Sequence, residues 1–159
     1  MKLSSLQEFV SQYTDKKLFD EKQLLQMGTE FFLVEPELAE LNKKLQKQLA
    51  YIGTYLGRFG AQHFIPSVWL IEQLGKVAEK NVFVSEKGEW LFICGRNLWG
   101  GNITKTEGEL KKGDLAFVFN RYGECLGYGA VVAEKLGNKA YLDRIFDIGD
   151  LIRRERMKI

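Results

Sequence analysis

The chain is poor in the residues that metal centres and disulfide frameworks require. Its 159 residues include two cysteines and one histidine. A structural zinc site needs about four ligands at recognisable spacing. Cys94, Cys125 and His63 are too few and too far apart in the sequence to supply them. We therefore predict no metal and no disulfide framework, which favours a reducing compartment.

Long apolar runs are missing too. No segment approaches the roughly 20 consecutive apolar residues of a membrane-spanning helix, and the first residues lack the apolar core of a secretory signal. We expect a soluble protein of the cytoplasm, or of the nucleolus if the source is eukaryotic. No proline-rich or serine-rich linker divides the chain.

Signals for catalysis are equally scarce. The segment 95–102 has the glycine spacing of a phosphate-binding loop, but Gly101 and Asn102 stand where that loop needs lysine and a hydroxyl residue. His63 has no nucleophile or acid partner that the sequence reveals. We predict that the protein is not an enzyme and carries no cofactor.

The composition nevertheless supports packed cores, with 45% hydrophobic and 13% aromatic residues. The length suits one domain or two small ones. We predict an α+β fold of two domains: a small α/β domain with an antiparallel sheet and about three helices over residues 1–80, then a β domain over residues 81–159. The net charge of +2 falls in the second half.

Periodicity and turn residues outline the first domain. A capping pattern at residue 5 predicts a helix over about 5–13, and Pro36 begins a second helix. Strands are predicted over 29–34, 51–59 and 61–65, and a third helix from Pro66. On the second helix, Leu38, Leu41, Leu45 and Leu49 form one stripe. Its lysines lie mostly on the other side, which we interpret as the solvated one.

A hairpin dominates the second domain. Two apolar runs, 115–119 and 126–133, flank the polar connector 120–124, which contains a glycine. The turn Lys111–Asp114 leads into the first run, and Gly113 is free to adopt positive φ there.

This region resembles a PUA domain, the small RNA-binding pseudo-barrel first noted in pseudouridine synthases and archaeosine transglycosylases. The resemblance rests on the order of short motifs: Val82–Ser85, Lys87-Gly88, Trp90–Phe92, Gly95–Leu98, Gly100, Ile103, Gly113-Asp114, Gly123 and Gly127–Gly129.

A fuller resemblance is to the Nip-seven family of large-ribosomal-subunit biogenesis factors, in an archaeal-type form. It adds Gly53-Thr54, Gly57–Phe59 and Asp147–Arg153. It implies a non-catalytic RNA-binding factor in ribosome biogenesis, acting in rRNA processing and large-subunit assembly. The implied partners are single-stranded, uridine-rich pre-rRNA and, through the first domain, ribosome-assembly proteins. We expect a monomer that binds no membrane.

The C-terminal cations are the first candidates for RNA contact. The last nine residues hold four cations and one anion; the cations are Arg153, Arg154, Arg156 and Lys158. Guanidinium groups bind phosphate oxygens bidentately. This interpretation requires the arginines to be free of internal ion pairs, and a solvated tail is the alternative.

Further candidates lie within the PUA-like region. We place Arg96 and Asn97 at the start of its short helix, near the closing strand, and add Lys105 and Arg144. Surface salt bridges are the alternative for these charges. Trp99, Tyr122 and Tyr128 are candidates for base stacking. Two other functions stay open: an RNA-modification enzyme or its accessory subunit, and a protein–protein adaptor that does not bind RNA.

Overall fold

The computed structural model describes residues 3–45, 51–61, 63–150 and Arg153. Within it the chain divides into two compact units, Met1–Leu74 and Gly75–Ile159.

The first unit is a four-stranded antiparallel sheet with helices. The elements run α1 (Leu3–Ser11), a 3-10 turn (Glu21–Gln23), β1 (Leu24–Met27), β2 (Glu30–Leu33), α2 (Pro36–Leu45), β3 (Thr54–Phe59), β4 (Phe64–Pro66) and α3 (Val68–Val77), whose last three residues belong to the second unit. The strands lie in the order β1-β2-β3-β4. Aromatic and aliphatic side chains fill the interior, among them Phe31, Phe32 and Leu56, all at most 1% exposed. Strand β1 was not predicted, since its short run Leu24–Met27 includes a polar glutamine.

Helix α2 exposes two leucines of the stripe that we had placed opposite its solvated side. Leu38 and Leu41 are 43% and 49% exposed, whereas Ala39 packs against Phe32 and its neighbours. The side chains of Leu45 and Leu49 lie outside the described residues. A periodic pattern identifies the apolar side of a helix, but not whether anything covers it.

The second unit contains a curled six-stranded sheet and, between its first two strands in the sequence, an α-helix. Its elements are β5 (Asn81–Val84), α4 (Glu86–Ile93), β6 (Leu98–Trp99), a 3-10 turn (Gly100–Asn102), β7 (Ile103–Glu107), β8 (Leu115–Phe119), β9 (Cys125–Val131) and β10 (Ala140–Asp147). The strand order is β6-β10-β9-β8-β5-β7. All pairs are antiparallel except β5 with β8.

The predicted hairpin is β8–β9, and a buried amide organises its tip. Asn120 is 1% exposed. Its Oδ1 accepts the N–H groups of Tyr122 at 2.9 Å and Glu124 at 3.0 Å. Its Nδ2 donates to Glu124 at 2.6 Å and to Glu89 of α4 at 3.1 Å. The connector is therefore a hydrogen-bonded cap that ties the hairpin to the helix.

Candidate nucleic-acid interface

The turn after α4 presents the first two candidate residues. The N–H of Gly95 bonds the Phe92 carbonyl at 2.9 Å, and that of Arg96 bonds the Leu91 carbonyl at 3.0 Å. This is the Schellman pattern that ends helices, with glycine in the left-handed region, here at φ 84°. Arg96 and Asn97 thus follow the carboxyl end of the helix. Our placement of them at the start of the short helix was wrong.

The side chain of Asn97 hydrogen-bonds this turn to strand β10. Its Nδ2 donates to Asp143 Oδ1 at 2.8 Å, and its Oδ1 accepts the backbone N–H of Arg144 at 2.9 Å. The amide therefore extends the pairing between β6 and β10. Arg96, by contrast, is exposed.

The buried carboxylate of Asp147 binds both Arg144 of β10 and the C-terminal Arg153. Asp147, at the end of β10, is fully buried. Arg144 Nη1 lies 2.9 Å from its Oδ2. Arg153 donates Nη2 to Oδ2 at 2.7 Å and Nη1 to Oδ1 at 2.9 Å. The N–H of Gly149 completes the set at 2.9 Å. Burying a carboxylate is costly unless it is paired and hydrogen-bonded, and here it is both.

Arg153 also closes the end of helix α4. Its Nη1 donates to the carbonyl of Ile93, one of the last carbonyls of the helix, where a cation is favourable. Two glycines make room for the guanidinium: a Cβ on Gly95 would lie 3.3 Å from Arg153 Cζ, and one on Gly149 would lie 2.9 Å from Nη1. Hydrogen bonding to Asp147 raises the pKa of Arg153 above its usual range.

Arg153 therefore does not meet the requirement that the C-terminal arginines be free of internal ion pairs. Most of its donors point at Asp147 and Ile93, and its side chain is 31% exposed. Nothing in the sequence spacing signals these bonds, because the partners lie on a strand end and a helix end. The other three terminal candidates, Arg154, Arg156 and Lys158, lie outside the described residues.

The remaining charged candidates are both in ion pairs. Arg144 is bound to Asp147, with 27% of its side chain exposed. Lys105 lies on β7, where it binds Glu107 and sits 5.1 Å over the ring of Phe83. The structure thus brings Arg96, Asn97, Arg144 and Arg153 together, while Lys105 belongs to a separate ion pair. Their contact with RNA stays a prediction.

The aromatic candidates divide into exposed and buried rings. Trp99 is 53% exposed and Tyr122 is 70% exposed, whereas Tyr128 is 5% exposed. Tyr128 packs against Phe117 and Phe146, so its proposed base stacking was wrong. Tyr128 lies opposite Phe117 in the β8–β9 pair, on the side of the sheet away from the core residues Ala116 and Val118, and is buried there nonetheless.

Sequence reasoning missed a cation beside Trp99. Ala140 is the cross-strand partner of Trp99, and the Gly100 N–H bonds the carbonyl of Lys139 at 3.2 Å. Lys139 is exposed. We call the exposed set Arg96, Trp99 and Lys139 the β6 surface. Only the strand pairing, which single-residue patterns do not reveal, brings Lys139 to it.

Within the described part of the chain, no three His, Cys, Asp or Glu side chains lie close enough to hold a metal ion. Among the same residues no helix is both long and apolar enough to cross a membrane.

The curled sheet with helix α4 gives the second unit the fold of a PUA-type pseudo-barrel. Residues 80–156 match the family model described as the UPF0113 PUA domain. A UPF0113 protein from Archaeoglobus fulgidus is 26% identical over 115 residues, which cover 67% of this chain and 63% of that protein. The match therefore spans less than two thirds of that relative's length.

Solved structures agree on the architecture of the whole chain. A conserved PUA domain protein from Thermoplasma acidophilum gives a TM-score of 0.58 at 21% identity, over 98% of this chain and 95% of that one. A PUA domain from Aeropyrum pernix, in a tartrate complex, gives 0.61 at 12% identity, over 96% and 86%. At such identities the likeness shows the fold alone. The predicted α+β fold, with a small first domain before a PUA-type barrel, is confirmed, and membership of the Nip-seven family stays a prediction.

Proposed function

We propose that this protein is a non-catalytic RNA-binding factor of ribosome biogenesis, acting on pre-rRNA during assembly of the large subunit. The PUA-type fold supports RNA binding, since the domains it resembles bind RNA. The assembly role comes from the resemblance to the Nip-seven family. The first unit would bind ribosome-assembly proteins.

The β6 surface is the observation that carries the RNA-binding proposal. An exposed indole offers a face on which a base of single-stranded RNA stacks. Arg96 lies three residues before Trp99, and Lys139 is the chain neighbour of its cross-strand partner Ala140. Cations of this kind bind the phosphates that dominate affinity. Asp143 adds one negative charge nearby, but Asn97 already binds that carboxylate, and the set keeps a net positive charge.

Arg153 has a positioning role in this proposal. Its guanidinium lies against Gly95, the neighbour of Arg96, so the chain that follows it starts from the same end of the barrel. Arg154, Arg156 and Lys158 would extend the cationic surface from that point. Loss of Arg153 would therefore weaken RNA binding indirectly, through its contact with Gly95 beside Arg96.

Fluorescence anisotropy with a labelled single-stranded oligouridine tests the proposal. If Arg96 and Lys139 each neutralise one phosphate, log K should fall with log[salt] at a slope of roughly −1.4, and the three C-terminal cations would steepen it to roughly −3.5. Trp99→Ala should weaken binding about 5- to 150-fold, since stacking of one base contributes about 1–3 kcal/mol. Arg96→Glu should also weaken binding, because it replaces a phosphate-binding cation with an anion.

Lys112→Glu is the matched control, because Lys112 is an exposed cation in the turn before β8, and β8 is three strands from β6 in the sheet. An equal loss of affinity in this variant would show that the affinity depends on net charge alone, and it would contradict the proposed site. If no salt-dependent RNA affinity is found near physiological salt, the adaptor function replaces RNA binding. Altered nucleosides in precursor RNA after incubation would contradict the non-enzyme assignment.

A further inference from the structure

The outer side of helix α2 combines exposed leucines with charges of both signs. Leu38 and Leu41 are 43% and 49% exposed, and Glu37 and Lys44 are exposed beside them. On a helix, residues three or four apart are neighbours, so Glu37 and Lys44 lie on either side of Leu41 along the axis. We call these four residues the α2 stripe.

Charge is ordered along the stripe. The acidic residue stands in the first turn of α2 and the basic residue in its last turn. The helix is therefore complementary to itself when a second copy runs in the opposite direction. A two-fold axis through Leu41 would place Glu37 of each copy opposite Lys44 of the other, with the leucines between them. Such an isologous contact is the commonest kind of interface in homo-oligomers.

A parallel arrangement lacks this complementarity. It would bring like ends of the two helices together, with Glu37 near Glu37 and Lys44 near Lys44. Like charges in contact oppose association and so help to select partners. The order of charges thus favours the antiparallel dimer over the parallel one.

We infer that the α2 stripe is a self-association surface that binds a second copy of this chain in antiparallel orientation. The inference is independent of the proposed RNA function and differs from the monomer predicted from the sequence. Two leucines per copy form a small contact, well below the roughly 1,000 Å² of a stable interface. The dimer is therefore weak and depends on protein concentration.

Sedimentation velocity of the full-length chain over a concentration series provides the test. Wild type should show a concentration-dependent shift towards the dimer. Glu37→Lys and Lys44→Glu should each stay monomeric, because each places like charges opposite one another. An equimolar mixture of these two variants should recover the dimer, since every pair across the axis is then of opposite charge.

Leu41→Gln tests the apolar part and keeps a good helix former at that position. It should raise the dimer dissociation constant at least about tenfold, because burial of a leucine from each copy is lost. Leu136→Gln is the control: Leu136 is 47% exposed but lies in the loop before β10, so self-association should not change.

Three results would overturn the inference. The first is a wild-type chain that remains monomeric at millimolar concentration, as expected if another protein or the rest of this chain covers the stripe. The second is a mixture of the two charge variants that stays monomeric while wild type dimerises. The third is a dimer that Leu41→Gln leaves unchanged, which would place the contact elsewhere.

Discussion

Asp147 is paired with two arginines, so Asp147→Asn tests how much these ion pairs stabilise the second unit. Asparagine keeps the size of the side chain and an oxygen that accepts the Gly149 N–H. The negative charge is removed, and an NH2 donor replaces the oxygen that accepts Arg144 Nη1 and Arg153 Nη2. Arg144 and Arg153 then face each other across a neutral amide, and Arg153 loses its bidentate bond to a carboxylate.

The expected cost follows from the burial of the three groups. Removing one partner of a buried ion pair destabilises a protein by about 3–5 kcal/mol. Here the carboxylate is fully buried, while the two arginine side chains are 27% and 31% exposed. Water can hydrate the arginines once the charge is lost, which reduces the penalty. We expect the free energy of unfolding to fall by about 2–3 kcal/mol, below the range for fully buried pairs.

Urea unfolding followed by circular dichroism measures this change, with an expected shift of the midpoint by about 1–2 M. Asp143→Asn is the control, because Asp143 lies on the same strand but is exposed. It should stay within about 0.5 kcal/mol of wild type. Arg153→Met and the double variant complete a cycle in which Asp147 and Arg153 should couple by at least about 1 kcal/mol. An Asp147→Asn variant as stable as wild type, or a coupling near zero, would refute the reasoning.

Three further predictions concern other contacts of the second unit. Gly149→Ala should destabilise by about 1–3 kcal/mol, since its Cβ would meet a backbone oxygen of α4 at 2.2 Å. Gly101→Ala, with nothing within 4 Å, should be tolerated, and equal thermal shifts for the two would contradict this. Asn120→Asp should destabilise the hairpin tip most at neutral pH, because it places a third carboxylate against two glutamates; a stability difference that does not shrink as pH falls towards 4 would argue otherwise. The Lys80 ammonium and a backbone N–H lower the pKa of Asp114 below its ordinary 3.8. The stabilisation that this lowering represents is therefore full above that value and lost as pH falls through the lowered pKa. Lys80→Met should show its largest stability deficit above pH 4 in urea titrations, and a deficit that grows in acid would contradict the assignment.

The barrel could be predicted from the sequence because the motifs that specify it lie close together in the chain. The run 115–119, the connector and Gly127 follow one another in the chain, and hairpins are specified by such neighbours. Gly95 similarly marks a helix end, although we assigned its following residues to the wrong end of the helix. Short strand β1 escaped notice because four residues with a polar member carry little periodicity.

The candidate site was less readable because its contacts join distant segments. A run of C-terminal cations looks the same whether each is solvated or, like Arg153, bound to a buried aspartate and a helix carbonyl. Lys139 could not be assigned to the Trp99 surface without the β6–β10 pairing. The leucines of α2 show the same limit, since a stripe identifies an apolar side without identifying its partner.

The parallel pairing of β5 with β8 has a consequence for how the second unit forms. Asn81 lies opposite Phe117. Helix α4 and strands β6 and β7, which lie between them in the sequence, must therefore be synthesised before β5 can pair with β8. Contacts between distant parts of a chain slow folding. During synthesis β5 would leave the ribosome well before its partner, and the locally connected β8–β9 pair is the natural template on which it docks.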